Sequence, residues 1–216
     1  MKITTLLIDL DDTLYPASCG LWEAIRRRID LYVQTKFSLP PEEASDLRRK
    51  LFLKYGTTLR GLQSVYKVDA EEYLAFVHDV PLAQYIQADP AVRQALLACH
   101  QRKVIFTNAD VPHARRVLKI LELDNLFEQI IDIHAFDPYC KPMPEAFLIA
   151  LDLLGETSQT CMVVDDSLPN LVTAHTLGMH TVWVSAKPQA PPVDVVIPAI
   201  EALPDALRLN GHITKP

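Results

Sequence analysis

The sequence has few cysteines and no long apolar run. Its four cysteines, in 216 residues, form neither a Cys-x-x-Cys pair nor a zinc-site spacing, so we expect free thiols in a reducing compartment, the cytoplasm. Because no apolar stretch approaches the roughly 18–20 residues that span a bilayer, we expect no membrane segment. The N-terminal residues reach acidic side chains after only a few apolar ones, which argues against a signal peptide.

The sequence also lacks an excess of positive charge. Its formal net charge of −6 argues against binding to a nucleic acid polymer, which requires a basic face to neutralise phosphates. A small phosphorylated molecule stays compatible with this charge, because one lysine and one metal ion make a site locally positive. With 49% hydrophobic residues, the chain can bury one sizeable core, with or without a small accessory domain.

Short apolar runs predict the strands of a parallel sheet, because each is rich in β-branched residues and too short for a helix. These runs are residues 3–9, 103–107, 128–135, 161–166 and 180–185. Segments with helical periodicity separate them, as at residues 112–122 and 144–154. This alternation predicts an α/β fold with a Rossmann-like, doubly wound parallel sheet.

The stretch from about Tyr15 to Ala88 has a different pattern. It contains amphipathic helical segments and no convincing strand, and Pro40-Pro41 followed by two glutamates favours a helix start. The helical segments are residues 21–37, 40–56 and 69–79. We therefore expect residues 15–87 to form an all-helical cap, inserted into a catalytic core of residues 1–14 and 88–216.

The C-terminal region contains a proline-rich segment at residues 188–192. We expect this segment to be a surface connection that precedes a last short strand and helix. The final residues, 210–216, are polar and have no periodicity, so we expect them to be frayed.

Acidic side chains follow the first predicted strand in the segment DLDDT, residues 9–13. On an extended backbone, carboxylates at positions i and i+2 point the same way. An isolated pair of this kind is usually a polar turn. The functional interpretation is a nucleophilic carboxylate, Asp9, beside an acid/base carboxylate, Asp11, with the hydroxyl of Thr13 holding the turn.

Three further signals follow other predicted strands. Thr107 and Asn108 end one strand, where a hydroxyl and backbone N–H groups can bind phosphate oxygens, although such a pair is usually just a turn. Lys141 stands on a loop that the following proline stiffens, although a lone lysine is most often a solvated residue. Asp165 and Asp166 form an adjacent acidic pair, whereas capping a helix requires only one such residue. Because ligands of parallel sheets bind beyond the carboxyl ends of the strands, the signals together predict one site.

With these motifs in this order, the sequence resembles the haloacid dehalogenase-like hydrolase superfamily, and the helical insert resembles the helical cap of that superfamily. A closer resemblance is to the pyrimidine 5′-nucleotidase branch. It is carried by the segments DLDDTLYP, YGTTLRGL, FTNADVPHARRVL, CKP and VDDSLPNLVTAHTLGM. The resemblance implies a Mg²⁺-dependent phosphatase, monomeric or homodimeric, that acts on a small phosphorylated metabolite, a nucleoside monophosphate such as UMP or CMP.

The resemblance also implies how the reaction proceeds. Asp9 would attack phosphorus and become an aspartyl phosphate. Asp11 would protonate the leaving oxygen and then activate water, and we expect burial and neighbouring carboxylates to raise its pKa so that it is protonated near neutral pH. Thr107, the backbone N–H of Asn108 and the ammonium of Lys141 would bind the phosphoryl oxygens.

A magnesium site is part of the same resemblance. Its ligands would be the carboxylate of Asp9, the main-chain carbonyl of Asp11, and the pair Asp165 and Asp166. Of this pair, Asp166 is the preferred direct ligand, and Asp165 is the second or acts through water. Asn170, one helical turn further on, would orient them.

Four alternatives remain open. One is a phosphatase of another small metabolite, such as a sugar phosphate, pyridoxal phosphate or FMN, and another is a phosphomutase. A haloacid dehalogenase needs neither a leaving-group acid nor a metal, so Asp11, Asp165 and Asp166 weigh against it. An inactive binding protein is the fourth, and the presence of all five core site residues weighs against that.

Other residues near the motifs have simpler interpretations. Tyr15-Pro16 is the expected hinge at the entry to the cap. Gly56 and Gly61 suggest close backbone approach or a turn that faces the site, and the alternative is that they simply end a helix. We expect Asp110 to cap a helix and His113 to be a packed or solvated residue of that helix, without a catalytic role.

Overall fold

The computed structural model describes residues 2–186 and 192–209. Most of the expected surface connection at residues 188–192 and the whole of the expected frayed end at residues 210–216 lie outside the described residues. Among the helices of the described part, none combines the length and the apolar character needed to cross a membrane.

The centre of the fold is a parallel sheet with the strand order β3-β2-β1-β4-β5-β6. The strands are β1 (Thr5–Ile8), β2 (Arg102–Phe106), β3 (Gln129–Ile131), β4 (Cys161–Asp165), β5 (His180–Val184) and β6 (Val195–Ile197). The predicted doubly wound α/β fold is therefore confirmed. The run at residues 128–135 forms a much shorter strand than predicted, because β3 lies at the edge of the sheet and pairs only with β2.

Helices cover the sheet and form the insert. They are α1 (Leu21–Phe37), α2 (Pro41–Tyr55), α3 (Thr58–Tyr66), α4 (Ala70–Val77), α5 (Pro90–Ala98), α6 (Val111–Ile120), α7 (Pro144–Leu154), α8 (Leu168–Thr176) and α9 (Leu203–Leu209). All four residues of β1 are buried, which explains why its sequence is continuously apolar rather than alternating.

The insert between β1 and β2 begins with four helices, α1–α4, and contains no strand. Helix α1 packs against α2 and α4, and α2 packs against α3. The sequence patterns predicted α1, α2 and α4 but not α3. Helix α3 lies so close to α2 that a Cβ atom at Gly61 would be 2.6 Å from Cβ of Leu51. The division at residues 15–87 into a cap and a core stays a prediction, with which this all-helical insert agrees.

The strand order places the carboxyl ends of three strands next to one another. Ile8 of β1 pairs with Ile105 of β2 on one side and with Val164 of β4 on the other. The chain runs from β1 through β2 to β3 in one direction and then returns to β4 on the opposite side of β1. The boundary between β1 and β4 is therefore the topological switch point, where doubly wound sheets bind ligands.

Candidate active site

A buried ion-pair cluster lies at the switch point. The Nζ atom of Lys141 lies 2.7 Å from Oδ1 of Asp9 and 2.8 Å from Oδ2 of Asp165, and it also donates to the main-chain oxygen of Phe106 at 2.7 Å. Only 2% of the lysine side chain is exposed. The structure thus brings together the predicted nucleophile, the predicted lysine and one member of the predicted acidic pair.

The side chain of Asn108 fixes the loop that carries Lys141. Its Nδ2 atom donates to the main-chain oxygen of Lys141, and its Oδ1 atom accepts from the main-chain nitrogen of Lys141, both at 2.9 Å. The buried hydroxyl of Thr107 accepts from the backbone nitrogen of Ala109 at 3.0 Å. Asn108 therefore has a positioning contact that the sequence did not reveal, in addition to the phosphate-binding role predicted for its backbone.

Thr13 joins the first motif to the fourth. Its hydroxyl accepts a hydrogen bond from the backbone nitrogen of Asp166 at 3.1 Å and donates to Oδ2 of Asp9 at 3.4 Å. The expectation that this hydroxyl holds the turn is confirmed, and the turn is held against β4 as well.

The protonation of this cluster follows from burial and from the close approach of like charges. Burial raises the pKa of Asp9, although the Lys141 ammonium opposes that effect. Burial, together with the charges of Asp165 and Asp12, raises the pKa of Asp166 to about 7. Burial would lower the pKa of Lys141, but Asp165 and Asp9 raise it above its usual value, so the lysine stays charged.

The acidic side chains fit a divalent cation. Carboxylate oxygens of Asp9, Asp165 and Asp166 all lie within 4.8 Å of one another. Asp165 is committed to protein donors, since Lys141, Asn170 and the backbone of Ser167 all bind it at 2.8–3.0 Å. Hard oxygen donors of this kind suit Mg²⁺, and a cation would offset the repulsion that raises the pKa of Asp166. The hydrogen bond from Asn170 agrees with the predicted orienting role.

Asp11 is turned away from this cluster. Its Oδ1 atom accepts from the hydroxyl of Tyr15 at 2.6 Å and lies 3.0 Å from Nε2 of His113. Burial alone would raise the pKa of Asp11, but the charge and hydrogen bond of His113 and the hydroxyl of Tyr15 lower it to about 2. The prediction that the pKa of Asp11 is raised is therefore wrong, because its nearest partners are donors rather than carboxylates.

His113 and Asp110 lie behind Asp11, at the start of α6. Asp110 caps the helix as expected, accepting from the backbone nitrogen of His113. It also lies 2.8 Å from Nδ1 of His78, whose ring stacks on that of His113 at 4.1 Å. His113 is completely buried, so the expectation of a packed residue is confirmed, and its contact with Asp11 is one that the sequence did not reveal. The sequence signal for this contact was that His113 lies in the first turn of the helix that follows Asn108.

Two glycines of the insert allow close approach of the backbone, at different places. Gly56 has a φ of +81°, and a Cβ atom there would lie 2.8 Å from Sγ of Cys140, next to Lys141. Gly61 faces Leu51 of α2 instead. The expectation of close backbone approach is correct for both glycines, but only Gly56 lies against the loop that carries Lys141.

A cavity of about 950 Å³ borders the first and fourth motifs, with Asp12, Thr13, Tyr15, Asp166 and Trp183 among its lining residues. Asp12 has a φ of +61°, and its Oδ1 atom is buried without a hydrogen-bond partner among the described residues. Asp9, Thr107 and Lys141 are not among the residues that line this cavity, so it adjoins the ion-pair cluster rather than containing it.

The family model of the haloacid dehalogenase-like hydrolases matches residues 3–178. This match covers most of the chain and all four motifs of the site. The chain therefore belongs to the haloacid dehalogenase-like hydrolase family, and the predicted superfamily is confirmed.

Curated relatives include several with phosphatase names. Phosphate metabolism protein 8 of Saccharomyces cerevisiae (strain ATCC 204508 / S288c) is 28% identical over 186 residues, which are 79% of this chain and 58% of the yeast protein. Hexitol phosphatase A of Escherichia coli (strain K12) is 32% identical over 76 residues, 34% of this chain and 35% of the relative. This chain thus spans about half the length, or less, of these two relatives.

Solved structures share the fold. A HAD phosphatase from Thermococcus onnurineus superposes with a TM-score of 0.66 at 20% identity, covering 96% of this chain and 98% of the other. L-2-haloacid dehalogenase from Xanthobacter autotrophicus gives a TM-score of 0.64 at 15% identity, covering 95% and 98%. At these identities the likeness shows the fold alone.

Proposed function

We propose that this chain is a Mg²⁺-dependent phosphatase that forms an aspartyl phosphate on Asp9, and that its substrate is a pyrimidine nucleoside 5′-monophosphate, UMP or CMP. The observation that carries the phosphatase proposal is the buried contact between Asp9 and Lys141 beside two further carboxylates. A nucleophilic carboxylate next to a buried ammonium suits attack on an anionic substrate.

Charge is the main obstacle to the attack. At about 4 Å and an effective dielectric constant of about 20, each pair of like charges costs about 4 kcal/mol. The ammonium of Lys141 offsets part of this repulsion and neutralises the phosphoryl group as it transfers. Thr107 and the backbone N–H of Asn108 would bind the remaining phosphoryl oxygens. In the first half-reaction, Oδ of Asp9 bonds to phosphorus while the bond to the leaving oxygen breaks.

Asp11 would transfer the protons of both half-reactions. With a pKa of about 2, it is ionised in this arrangement, which is the form that takes a proton from the water that hydrolyses the aspartyl phosphate. Protonation of the leaving oxygen requires the acid form, so Asp11 must take up a proton from solvent and exchange the hydroxyl of Tyr15 for the leaving oxygen, while His113 keeps the carboxylate in place. Tyr15 belongs to the predicted hinge Tyr15-Pro16, and a hinge movement would release the hydrogen bond between Tyr15 and Asp11.

Magnesium would be held by the carboxylates of Asp9 and Asp166 and by the main-chain carbonyl of Asp11, with Asp165 acting behind them. When bound, the cation supplies positive charge that lets anionic nucleophile and anionic substrate approach. Because the carboxylate of Asp165 already accepts hydrogen bonds from protein donors, Asp166 is favoured as the direct ligand.

The proposed leaving group rests on the sequence resemblance. The relative named as hexitol phosphatase supports phosphatase chemistry and favours testing other phosphate esters too. The helical insert at residues 15–87 would act as a cap that excludes water. A cytoplasmic location and a monomeric or homodimeric state complete the proposal.

The test is phosphate release from a substrate panel, with Mg²⁺ or with EDTA. The panel contains UMP, CMP, AMP, GMP, pyridoxal phosphate, FMN and sugar phosphates. We expect Mg²⁺-dependent release that is fastest from UMP and CMP and absent in Asp9→Asn, while Asp152→Asn, an exposed change on α7, retains it.

Each other outcome discriminates between the alternatives. Release confined to other esters would reject the nucleotidase substrate and keep the phosphatase. Phosphate that stays on the substrate would indicate a phosphomutase. Activity that survives Asp9→Asn would overturn the mechanism.

A further inference from the structure

Arg60, in helix α3 of the insert, is a buried cation outside the site described above. Only 5% of its side chain is exposed. Its Nε atom donates to the main-chain oxygen of Tyr139 at 2.7 Å, and its Nη2 atom donates to that of Ile133 at 2.5 Å. Its Nη1 atom binds Asp137 and the side chain of Gln63. All of these partners except Gln63 lie on one segment of the core, residues 133–139.

These partners make the contact specific for a guanidinium group. A buried charge is costly unless every donor is satisfied, and here the planar fork reaches two main-chain carbonyls and a carboxylate together. A lysine at this position would present a single nitrogen, so it would lose the fork by which three separate nitrogens reach the two carbonyls and the carboxylate. The requirement is for arginine geometry, rather than for positive charge alone.

The segment that Arg60 binds leads directly to the site. Residues 133–139 are followed by Cys140 and Lys141, whose backbone is held on the other side by Asn108. The turn that precedes α3 reinforces the contact, since the thiol of Cys140 donates to the main-chain oxygen of Tyr55 at 3.4 Å. The loop that carries Lys141 is thus held on the core side by the side chain of Asn108, and on the side of the insert by Arg60 and the main-chain oxygen of Tyr55.

We propose that Arg60 is a positioning residue for Lys141. Arg60 fixes the loop that carries the lysine only when the helical insert packs against the core. Packing of the insert against the core then also places the ammonium of Lys141 beside Asp9. This inference deepens the proposed function, because it links the packing of the insert to the charged group at the reaction centre. Its kinetic test rests on that proposed function.

The first readout is kinetic. A displacement of about 1 Å at a catalytic group costs about 10²-fold in rate, so Arg60→Ala should lower kcat for UMP by about that factor while KM changes little. Arg60→Lys should retain little of the lost rate. The control is Arg48→Ala, because Arg48 forms an ion pair at 2.6 Å with Asp30 within the insert.

Chemical rescue separates positioning from a general loss of structure. A cavity of about 370 Å³ borders Arg60, lined also by Tyr55, Gln63 and Asp137, and gives a small cation access to the vacated place. Guanidinium chloride at a non-denaturing concentration should restore activity to Arg60→Ala, while methylammonium should not. Neither cation should change Arg48→Ala.

The second readout needs no activity. Amide hydrogen exchange of residues 133–142 should become faster in Arg60→Ala and stay unchanged in Arg48→Ala. If kcat of Arg60→Ala equals that of Arg48→Ala, or if exchange of residues 133–142 is unaltered, the inference is overturned. If the wild type releases no phosphate at all, the proposed function fails, and the exchange comparison alone decides on Arg60.

Discussion

The ammonium of Lys141 contacts Oδ1 of Asp9 at 2.7 Å in a buried environment, although 132 residues separate the two in the chain. The contact joins a strand end of the first half of the sheet to a loop that enters helix α7. Each side chain makes the burial of the other tolerable, because an unpaired buried charge is strongly destabilising.

We therefore expect Lys141→Met to lose both activity and stability. The change leaves Asp9 and Asp165 buried without their cation, and losing one partner of a buried pair costs about 3–5 kcal/mol. Urea unfolding in EDTA, followed by circular dichroism, measures the free energy of unfolding. Lys119→Met, an exposed change at the end of α6, is the control and should remain near wild type. Phosphate release by Lys141→Met at a rate near wild type would contradict the assignment.

Gly56→Ala should destabilise the protein and slow the reaction. The residue has a φ of +81°, and the new Cβ atom would lie 2.8 Å from Sγ of Cys140. Backbone strain alone costs about 1–2 kcal/mol, and the clash adds to it. Gly155→Ala is a comparison for left-handed strain without a clash, since Gly155 has a φ of +64°, a ψ of +30° and no atom within 4 Å of a new Cβ. The ψ of −37° at Gly56 lies outside that left-handed region and adds strain of its own.

The two effects at Gly56 are separable. Adding Cys140→Ala to Gly56→Ala removes the sulfur atom and should recover activity while the backbone strain persists. A Gly56→Ala protein that loses no more stability than Gly155→Ala would show that the contact with Cys140 is loose.

His113→Leu should slow hydrolysis by a factor that depends on the leaving group of the substrate. The change removes one of the two donors that hold Asp11, so proton transfer suffers more than attack by Asp9. Because general acid catalysis contributes about 10²–10⁴-fold, hydrolysis of UMP should fall at least ~10-fold more than hydrolysis of p-nitrophenyl phosphate, whose leaving group needs no proton. Initial rates on both substrates give this ratio.

His113→Gln is the matched variant, because a glutamine amide can place a donor near the position of Nε2. It should recover part of the selective loss. Equal losses on both substrates would indicate a packing role for His113 only.

Acidification should destabilise the protein through His78. Burial lowers the pKa of His78 below its usual 6.5, although the hydrogen bond with Asp110 opposes that effect. Below about pH 6.5 the unfolded chain takes up a proton on this histidine that the folded protein does not, so His78 makes the free energy of unfolding fall as pH falls, while the raised pKa of Asp166 contributes the opposite slope. Urea unfolding between about pH 5 and 7.5 measures this slope.

His78→Gln should remove the contribution of His78 to the slope, because the amide can still donate to Asp110 and does not titrate. His100→Gln, an exposed change, should run parallel to wild type. A slope that His78→Gln leaves unaltered would assign the pH dependence to other groups.

The sequence predicted the elements that have strong periodicity and the residues at strand ends. Helices α1 and α7 have the predicted bounds because their apolar positions recur at helical spacing. Helix α3 was missed because it is short and its buried residues include Arg60, whose partners are carbonyls of a distant loop. Such partners leave no local pattern.

The ionisation of the site was less predictable than its composition. The sequence shows that Asp11 stands among acidic residues, which suggested a raised pKa. Its actual pKa depends on the rotamer that turns the carboxylate towards His113, 102 residues away. Neither motif spacing nor composition determines that orientation, because tertiary packing selects it.

The order of the strands also determines when the site can form during synthesis of the protein. Strand β1 leaves the ribosome before both of its neighbours, which begin at Arg102 and Cys161. The nascent chain thus carries an apolar strand without its second partner until β4 has been made. Asp9 is translated well before Asp165, and its surroundings are completed only when Asp165 arrives, so premature termination between β1 and β4 yields a chain with a half-formed sheet and an exposed, aggregation-prone strand edge.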